Sequence, residues 1–338
     1  MKRAVMAGVV AAALLAAGCA APADPVGSET PAGAETPVGT ETAGAPLSIG
    51  AVTIVSHPSL DAVFEGVKEG LAEAGYVEGE NLEVEFQNPQ GDQQTLTNIA
   101  STYASSNHDY FVAIATPPAQ ALAQAITDRP IVFASVTDPV AASLVESMEA
   151  PGGNVTGTSD QIPADRQLEL LMELVPDVKT IGIVYTSSEV NAEIQADLMT
   201  EAAETQGIQV KTAAVVNSSE VAQAAESLNV DAYYVGNDNT VVSAIESIVQ
   251  VAEKNQRLLF TSDADSVERG AAATLATDYK EQGKQTARLL VKIIGGADPA
   301  TTPVEIQESL EFTVNPEAAK RMGVEIPQEI LAQADRIV

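Results

Sequence analysis

The sequence predicts an α/β protein built as two similar lobes, each on a parallel central sheet, and three observations carry that expectation. Short β-branched runs alternate with amphipathic helical stretches, as they do where crossover helices join parallel strands. The same order of elements occurs twice, with strand ends at Ser56 and Thr116 in the first half and Tyr185 and Gly236 in the second. Polar residues also gather where the strands end, and open parallel sheets bind their ligands outside the carboxyl ends of the strands.

The first half opens with a strand at 48–56. A helix follows at 61–74, where Leu60, Phe64, Val67 and Leu71 recur every three or four residues and Gly75 suits a left-handed stop. Strands at 83–86, 110–116 and 131–135 then alternate with helices at 96–105, 119–125 and 140–147, up to a turn at Pro151-Gly152-Gly153. The second half gives strands at 180–185, 210–215, 232–235, 258–261 and 272–275. Its helices lie at 191–206, stopped by Gly207, at 220–228 and at 240–255. A helix at 282–294 ending on Gly295-Gly296 does not continue either series, and strands at 304–307 and 311–314 follow a short break apart. The chain is therefore expected to cross back to the first lobe and then again to the second. This places residues 47–159 with about 280–308 in lobe 1, and 160–279 with about 309–338 in lobe 2. Two facing lobes turn the crevice of each sheet into one cleft.

The start of the chain has a different character. Met1-Lys2-Arg3 precedes an apolar run at 4–17, the charge and core order of a secretory signal, and the run is too short to span a bilayer. Leu14-Leu15-Ala16-Ala17-Gly18-Cys19 resembles a lipobox, with Ala16 where leucine is usual. Residues 1–18 are expected to be removed and Cys19, the one cysteine of the chain, to carry the lipid. Residues 19–46 hold Ala, Pro, Gly, Thr and Glu and, after Cys19, no Lys, Arg, Tyr or Phe up to Pro46. Such a segment buries too little apolar surface to order itself and is expected to act as an extended tether. The address is extracytoplasmic, on the cell membrane. About 290 residues remain for the folded part, enough for two cores. Losing Lys2 and Arg3 takes the formal charge from −30 to −32, a surface that repels nucleic acid and anionic lipid.

Catalytic chemistry is sparse. The folded part has two histidines, His57 and His108, and no cysteine, and neither His-x-x-x-His nor Cys-x-x-Cys spacing occurs, so no metal or cofactor is expected. Ser56, His57 and Asp61 lie too close in sequence to form a nucleophile–base–orienter set, and the Gly-x-Ser-x-Gly elbow is missing. Asp263-Ala264-Asp265 with Glu268 lacks calcium-loop spacing and reads as a solvated turn. What stands out is a set of strand ends: Ser56-His57-Pro58, Thr116-Pro117-Pro118, Thr137-Asp138-Pro139, Ser159-Asp160, Tyr185-Thr186-Ser187, Asn237-Asp238-Asn239 and Ser262-Asp263. Hydroxyls before a helix start can seat a carboxylate, and Thr116 with the amides of Ala119 and Gln120 is the clearest case. Each such residue also serves as an ordinary helix cap. Across the cleft, Asp238 and Asp263 suit an ammonium group and Tyr185 a flat side chain.

These residues also resemble a family. Ser56-His57-Pro58-Ser59-Leu60-Asp61, Ala115-Thr116-Pro117-Pro118-Ala119-Gln120, Val136-Thr137-Asp138-Pro139-Val140, Gly152-Gly153-Asn154-Val155-Thr156-Gly157 and Gly236-Asn237-Asp238-Asn239 are similar to motifs of a group of ABC transporter substrate-binding lipoproteins. Binders of tryptophan and related aromatic amino acids belong to that group. The resemblance covers nearly all of 47–338. It implies a type I periplasmic-binding-protein architecture with three hinge crossovers, and a permease and an ATPase as partners. An aromatic pocket would draw on Tyr185, Phe64, Tyr234 or Tyr279, since the chain has no Trp and only 4% aromatic residues.

The expected function is capture of a small zwitterion by a monomeric clamp that is not an enzyme. Ser56, Thr116, Thr137 and nearby amides would take the carboxylate and Asp238 the ammonium, with His57, Asp138, Asp160, Asn237 and Asp263 around the same cleft. A sensor that presents its closed form to a membrane receptor, or an importer of a solute that is not an amino acid, fits the same features.

Overall fold

A computed structural model describes residues 46–307 and 309–338. The expected signal, Cys19 and all but the last residue of the expected tether lie outside the described residues. The first series of elements is β1 Leu47–Val52, α1 Pro58–Glu73, β2 Leu82–Gln87, α2 Gln93–Ala104, β3 Tyr110–Ile114, α3 Thr116–Ala125, β4 Ile131–Ala134 and β5 Val155–Ser159. The second runs α4 Ala164–Leu174, β6 Thr180–Thr186, α5 Val190–Thr205, β7 Gln209–Val215, α6 Val221–Ser227, β8 Ala232–Val235, α7 Asn239–Ser243, α8 Ile245–Asn255, β9 Leu258–Thr261, α9 Ala264–Glu268 and β10 Ala273–Ala276. The chain closes with α10 Tyr279–Ile294, β11 Glu305–Ile306, β12 Glu311–Val314, α11 Pro316–Arg321, α12 Gln328–Leu331 and β13 Arg336–Ile337.

The strands form two sheets of one design. Their orders are β11-β5-β4-β3-β1-β2 and β13-β12-β10-β9-β8-β6-β7, so five strands of each follow the same doubly wound sequence. Every strand pairing among the described residues is parallel except that of β10 with β12. Apolar strands such as β4, buried along all four residues, are what a parallel sheet covered on both faces demands. Each sheet anchors its own apolar cluster, one around Phe111, Phe133 and Ile114, the other around Phe260, Tyr233 and Ile181. The chain passes between the sheets three times. It leaves the first after Ser159, returns in α10, which packs on α1, β4 and β5, adds β11 beside β5, and finishes in the second sheet with β12.

Three departures from the sequence expectations have local causes. The expected helix at 140–147 is a run of turns, because Asp138 Oδ1 accepts from the amides of Val140 and Ala141 and Ser143 adopts φ 59°. The expected helix at 240–255 is two helices, broken at Ala244. There Arg269 donates to the carbonyls of Val242 at 2.8 Å and Ser243 at 3.3 Å, the acceptors that a continuing helix would have used. Residues 264–268, expected as a solvated turn, form α9, whose cap Asp263 is buried and accepts from Ser266 N at 2.8 Å. Helix α4 is an addition to the expected elements, with Leu168, Leu171 and Leu174 on its buried face.

Candidate functional site

Both sheets reverse their strand order at an inner strand, between β1 and β3 in the first and between β6 and β8 in the second. Ligands of open α/β sheets bind at such switch points. Here the two switch points meet, and a cavity of about 20 Å³ lies between the sheets, lined by His57, Leu60, Thr116, Ser135, Thr137, Asp160, Asn191, Asn237, Asp238, Asn239, Val242, Asp263 and Tyr279. Of the expected site residues, seven converge on it: His57, Thr116, Thr137, Asp160, Asn237, Asp238 and Asp263. The structure does not bring the other five to this cavity.

Each of those five has a local role instead. Ser56 is exposed and donates to Asp61 Oδ2 at 2.8 Å. Asp138 shapes the turn described above. Gln120 donates to the carbonyl of Ala142 at 3.0 Å, and Tyr185 lies half-buried on β6 against the second core. The amide fan expected at α3 does not exist, because Pro117 and Pro118 have no N–H and Ala119 donates to Ala115 O at 3.3 Å. That helix start offers the Thr116 hydroxyl rather than a row of amides. Of the aromatic candidates, only Tyr279 lines the cavity. Phe64 stacks on Phe86 with ring centroids 4.1 Å apart, and Tyr234 donates to Gln167 Oε1 inside the second core.

The backbone is strained at the rim. Ala115 and Ser135, next to the ends of β3 and β4, hold φ of 80° and 57° without being glycine. Such conformations cost about 1–3 kcal/mol each and persist only where surrounding bonds over-determine them. The ladder bond from Ala115 N to Ala134 O and the 2.6 Å bond from Ser135 Oγ to Gln282 do so here. The result aims Thr116 and Ser135 into the cavity.

Polar groups in the cavity divide into two kinds. The carboxylates are well supplied with donors. Asp160 accepts from Thr137 at 3.1 Å, Asn237 at 2.9 Å and Tyr279 at 3.2 Å. Asp238 accepts from Thr186 N at 2.5 Å, Thr186 Oγ1 at 2.8 Å and Val241 N at 3.0 Å, and Asp263 accepts from Ser59 across the cleft at 3.1 Å. By contrast, both ring nitrogens of His57, Oγ1 of Thr116 and Oδ1 of Asn191 and Asn237 are buried without a hydrogen-bond partner among the described residues. An unpaired buried polar atom is destabilising by about 1–3 kcal/mol, and here four residues bring such atoms to one cavity.

Burial governs the protonation of the site. It pushes Asp238 up to about 7, with help from the charge of Glu189 and against the donors from Val241 and Thr186. It pushes Asp160 up to about 6 and also raises Asp263. Burial lowers His57 to about 4, so this ring is neutral at pH 7; Asn239 counters the shift from nearby without meeting hydrogen-bond geometry. Among the described residues, no lysine or arginine lines the cavity.

These shifts set the pH dependence of stability. Stability rises with pH only where the unfolded chain holds more protons than the folded one. Asp160 and Asp238 keep protons in the fold that the unfolded chain releases near 3.8, so they lower stability as pH climbs toward 6 and 7. His57 acts the opposite way, adding stability between about 4 and 6.5. From about pH 6.5 upward that opposition fades, while Asp238 is still losing its proton. The melting temperature of the protein without solute is therefore expected to fall from about pH 6.5 to 8, and Asp238→Asn should flatten the fall; equal slopes in the two proteins would contradict this account.

Ser135, Asn191, Asn239, Leu60 and Val242 join the site beyond the residues expected from sequence. Ser135 and Asn239 stand at strand ends like the others, whereas Asn191 carries no local signal, because only the fold brings the starts of α5 and α7 together. There Asn191 Nδ2 donates to the carbonyl of Asn237 at 2.7 Å.

Comparison with known proteins identifies the family. The family described as ABC transporter substrate binding protein matches residues 48–338. A tyrosine-binding protein of Clostridioides difficile (strain R20291) is 39% identical over 280 residues, covering 82% of this chain and 81% of its own. The ABC domain in complex with L-Trp from Streptococcus pneumonia has a TM-score of 0.84 at 37% identity, covering 87% of this chain and all of its own. A ligand-free, open substrate-binding protein with adhesive properties from Clostridium difficile has a TM-score of 0.66 at 38% identity, covering 86% of this chain and 99% of its own. The two-sheet architecture is that of type I periplasmic binding proteins. With a family match over residues 48–338, this protein belongs to the ABC transporter substrate-binding protein family, whose members bind solutes and are not enzymes.

Proposed function

We propose that this protein is the extracytoplasmic capture component of an ABC importer and holds an amino acid in the cavity between its lobes. The observation that carries the reading is the convergence of unpartnered polar atoms from His57, Thr116, Asn191 and Asn237 on a cavity that also presents three carboxylates. A ligand carboxylate would accept from Thr116 and from a neutral His57, whose proton can sit on either ring nitrogen. The ammonium would go to Asp238, and Leu60, Val242 and Tyr279 would flank one side chain. Aromatic amino acids are the first to test, because the L-Trp complex and the tyrosine-binding relative are both similar to this chain.

A cavity of about 20 Å³ has room for about one water and far less than an amino acid needs, so an amino acid enters only when the lobes part. In support, similarity is greater to the L-Trp complex than to the ligand-free open protein, at nearly equal identity. The three chain crossings, near 160, near 278 and between β11 and β12, would form the hinge between lobe 1 (47–159 with about 280–308) and lobe 2. The Ser59–Asp263 bond would then be made only on closure, and the closed form would engage permease and ATPase subunits. The chain would act as a monomer, tethered to the membrane through lipid on Cys19.

Calorimetric titration of the full-length protein with each of the twenty amino acids is expected to give heat with at least one of them, aromatic or aliphatic. Silence with all twenty would end the amino-acid reading and leave a solute of another class.

A further inference from the structure

Resting on the amino-acid reading above, we propose that Asp238 carries a proton in the solute-free protein and that the ammonium of the incoming solute displaces it, so that capture releases a proton to solvent. The basis is a hydrogen-bond count around two neighbouring buried carboxylates. Glu189 accepts from five donors: Thr240 N at 3.1 Å and Thr240 Oγ1 at 2.8 Å on one oxygen, and Asn239 N at 3.3 Å, Asn239 Nδ2 at 2.5 Å and Asn191 Nδ2 at 3.3 Å on the other. A carboxylate has about four lone-pair positions, so Glu189 has no room for a proton of its own. Asp238, which lines the cavity, accepts from only three donors, all from Thr186 and Val241, which leaves one position open on its carboxylate. A proton shared by the pair therefore sits on Asp238.

Among the described residues, nothing nearby supplies a permanent positive charge to take its place. From α1 the site is faced by His57, with Asp61 behind it; from the end of β5 by Asp160; from α10 by Tyr279. From α9 come Asp263 and Asp265, and Arg269 beyond them is engaged with Glu246 and the carbonyls ending α7. Like charges this close, in a water-poor site, do not all ionise together. An arriving ammonium reverses that condition. The carboxyl of Asp238 gives its proton to solvent, its freed oxygen accepts from the ammonium, and the ammonium's charge replaces that of the lost proton beside Asp238; the solute's own carboxylate, held by Thr116 and His57, leaves the whole site one unit more negative. The solute class follows: a primary amine that is positively charged at neutral pH.

Two measurements on the full-length protein test this. Titration of the bound amino acid in buffers of differing ionisation enthalpy counts protons. The expected release is about half a proton per solute at pH 7, falling toward zero by about pH 9. Infrared spectroscopy of the solute-free protein at pH 7 should show a protonated-carboxyl band that the amino acid removes and that is missing in Asp238→Asn. Heat of binding with no proton release at pH 7 overturns the inference, and so does release confined below about pH 6.5, which would assign the proton to Asp160. Absence of binding by every amino acid overturns the functional reading itself, an outcome the infrared band separates from the first.

Discussion

Replacing Asp238 with alanine is expected to weaken amino-acid binding by about 2–5 kcal/mol, roughly 30-fold to several thousand-fold, as measured by calorimetry. The size comes from what the substitution leaves behind. A solute ammonium would be buried without its counter-charge, while Thr186 N and Oγ1 and Val241 N would lose their acceptor. Because Asp238 also caps α7, the variant should lose about 1 kcal/mol of stability in addition, visible as a lower melting temperature without solute. The two effects are separable, since the stability loss appears in the empty protein and the affinity loss does not depend on it. If affinity fell by less than about 0.5 kcal/mol, the ammonium would belong to Asp160 or Asp263 instead.

The strand ends explain how much of this is legible in the sequence. Alternating β-branched runs and amphipathic helices follow from local periodicity, so the two sheets and the returning strands β11 and β12 can be read from the residues alone. Seven of twelve candidate residues reach the cavity because a polar residue after a parallel strand has few other places to point. The failures are equally local. Ser56, Asp138 and Gln120 turn aside to bond their own loops or a neighbouring turn, choices made by geometry within a few ångströms. Tyr185 lies inside β6 rather than beyond its end, and there it packs half-buried against the second core instead of reaching the cleft outside the strand ends. Asn191 and Glu189 carry no sequence signal because their role comes from the meeting of α5 with α7, a contact between segments about 50 residues apart. The break at Ala244 is likewise set from outside, by Arg269.

That long-range part is most exposed where α1 meets α10, and here the largest stability effect is expected: Gly66→Val should destabilise the protein by about 3 kcal/mol or more. A Cβ on Gly66 would stand 2.1 Å from the carbonyl oxygen of Lys280, and one on Gly283 would stand 2.1 Å from that of Val63. These are backbone atoms, which cannot rotate away as a side chain can, so the helices would have to separate. The ion pairs along the same seam, Lys280–Glu69 at 2.7 Å and Lys284–Glu73 at 2.9 Å, are solvent-exposed and cannot compensate, each contributing about 0–1 kcal/mol. The damage would reach the site, because α1 starts beside His57 and carries Ser59 and Leu60, while α10 starts with Tyr279 and carries Gln282, the partner of Ser135. Urea unfolding should show the midpoint shift in Gly66→Val and almost none in Lys284→Ala, and the folded fraction of the glycine variant should bind its solute more weakly. A valine variant as stable as the parent would mean that the two helices are not held at this spacing and that close packing does not position the first lobe's half of the site.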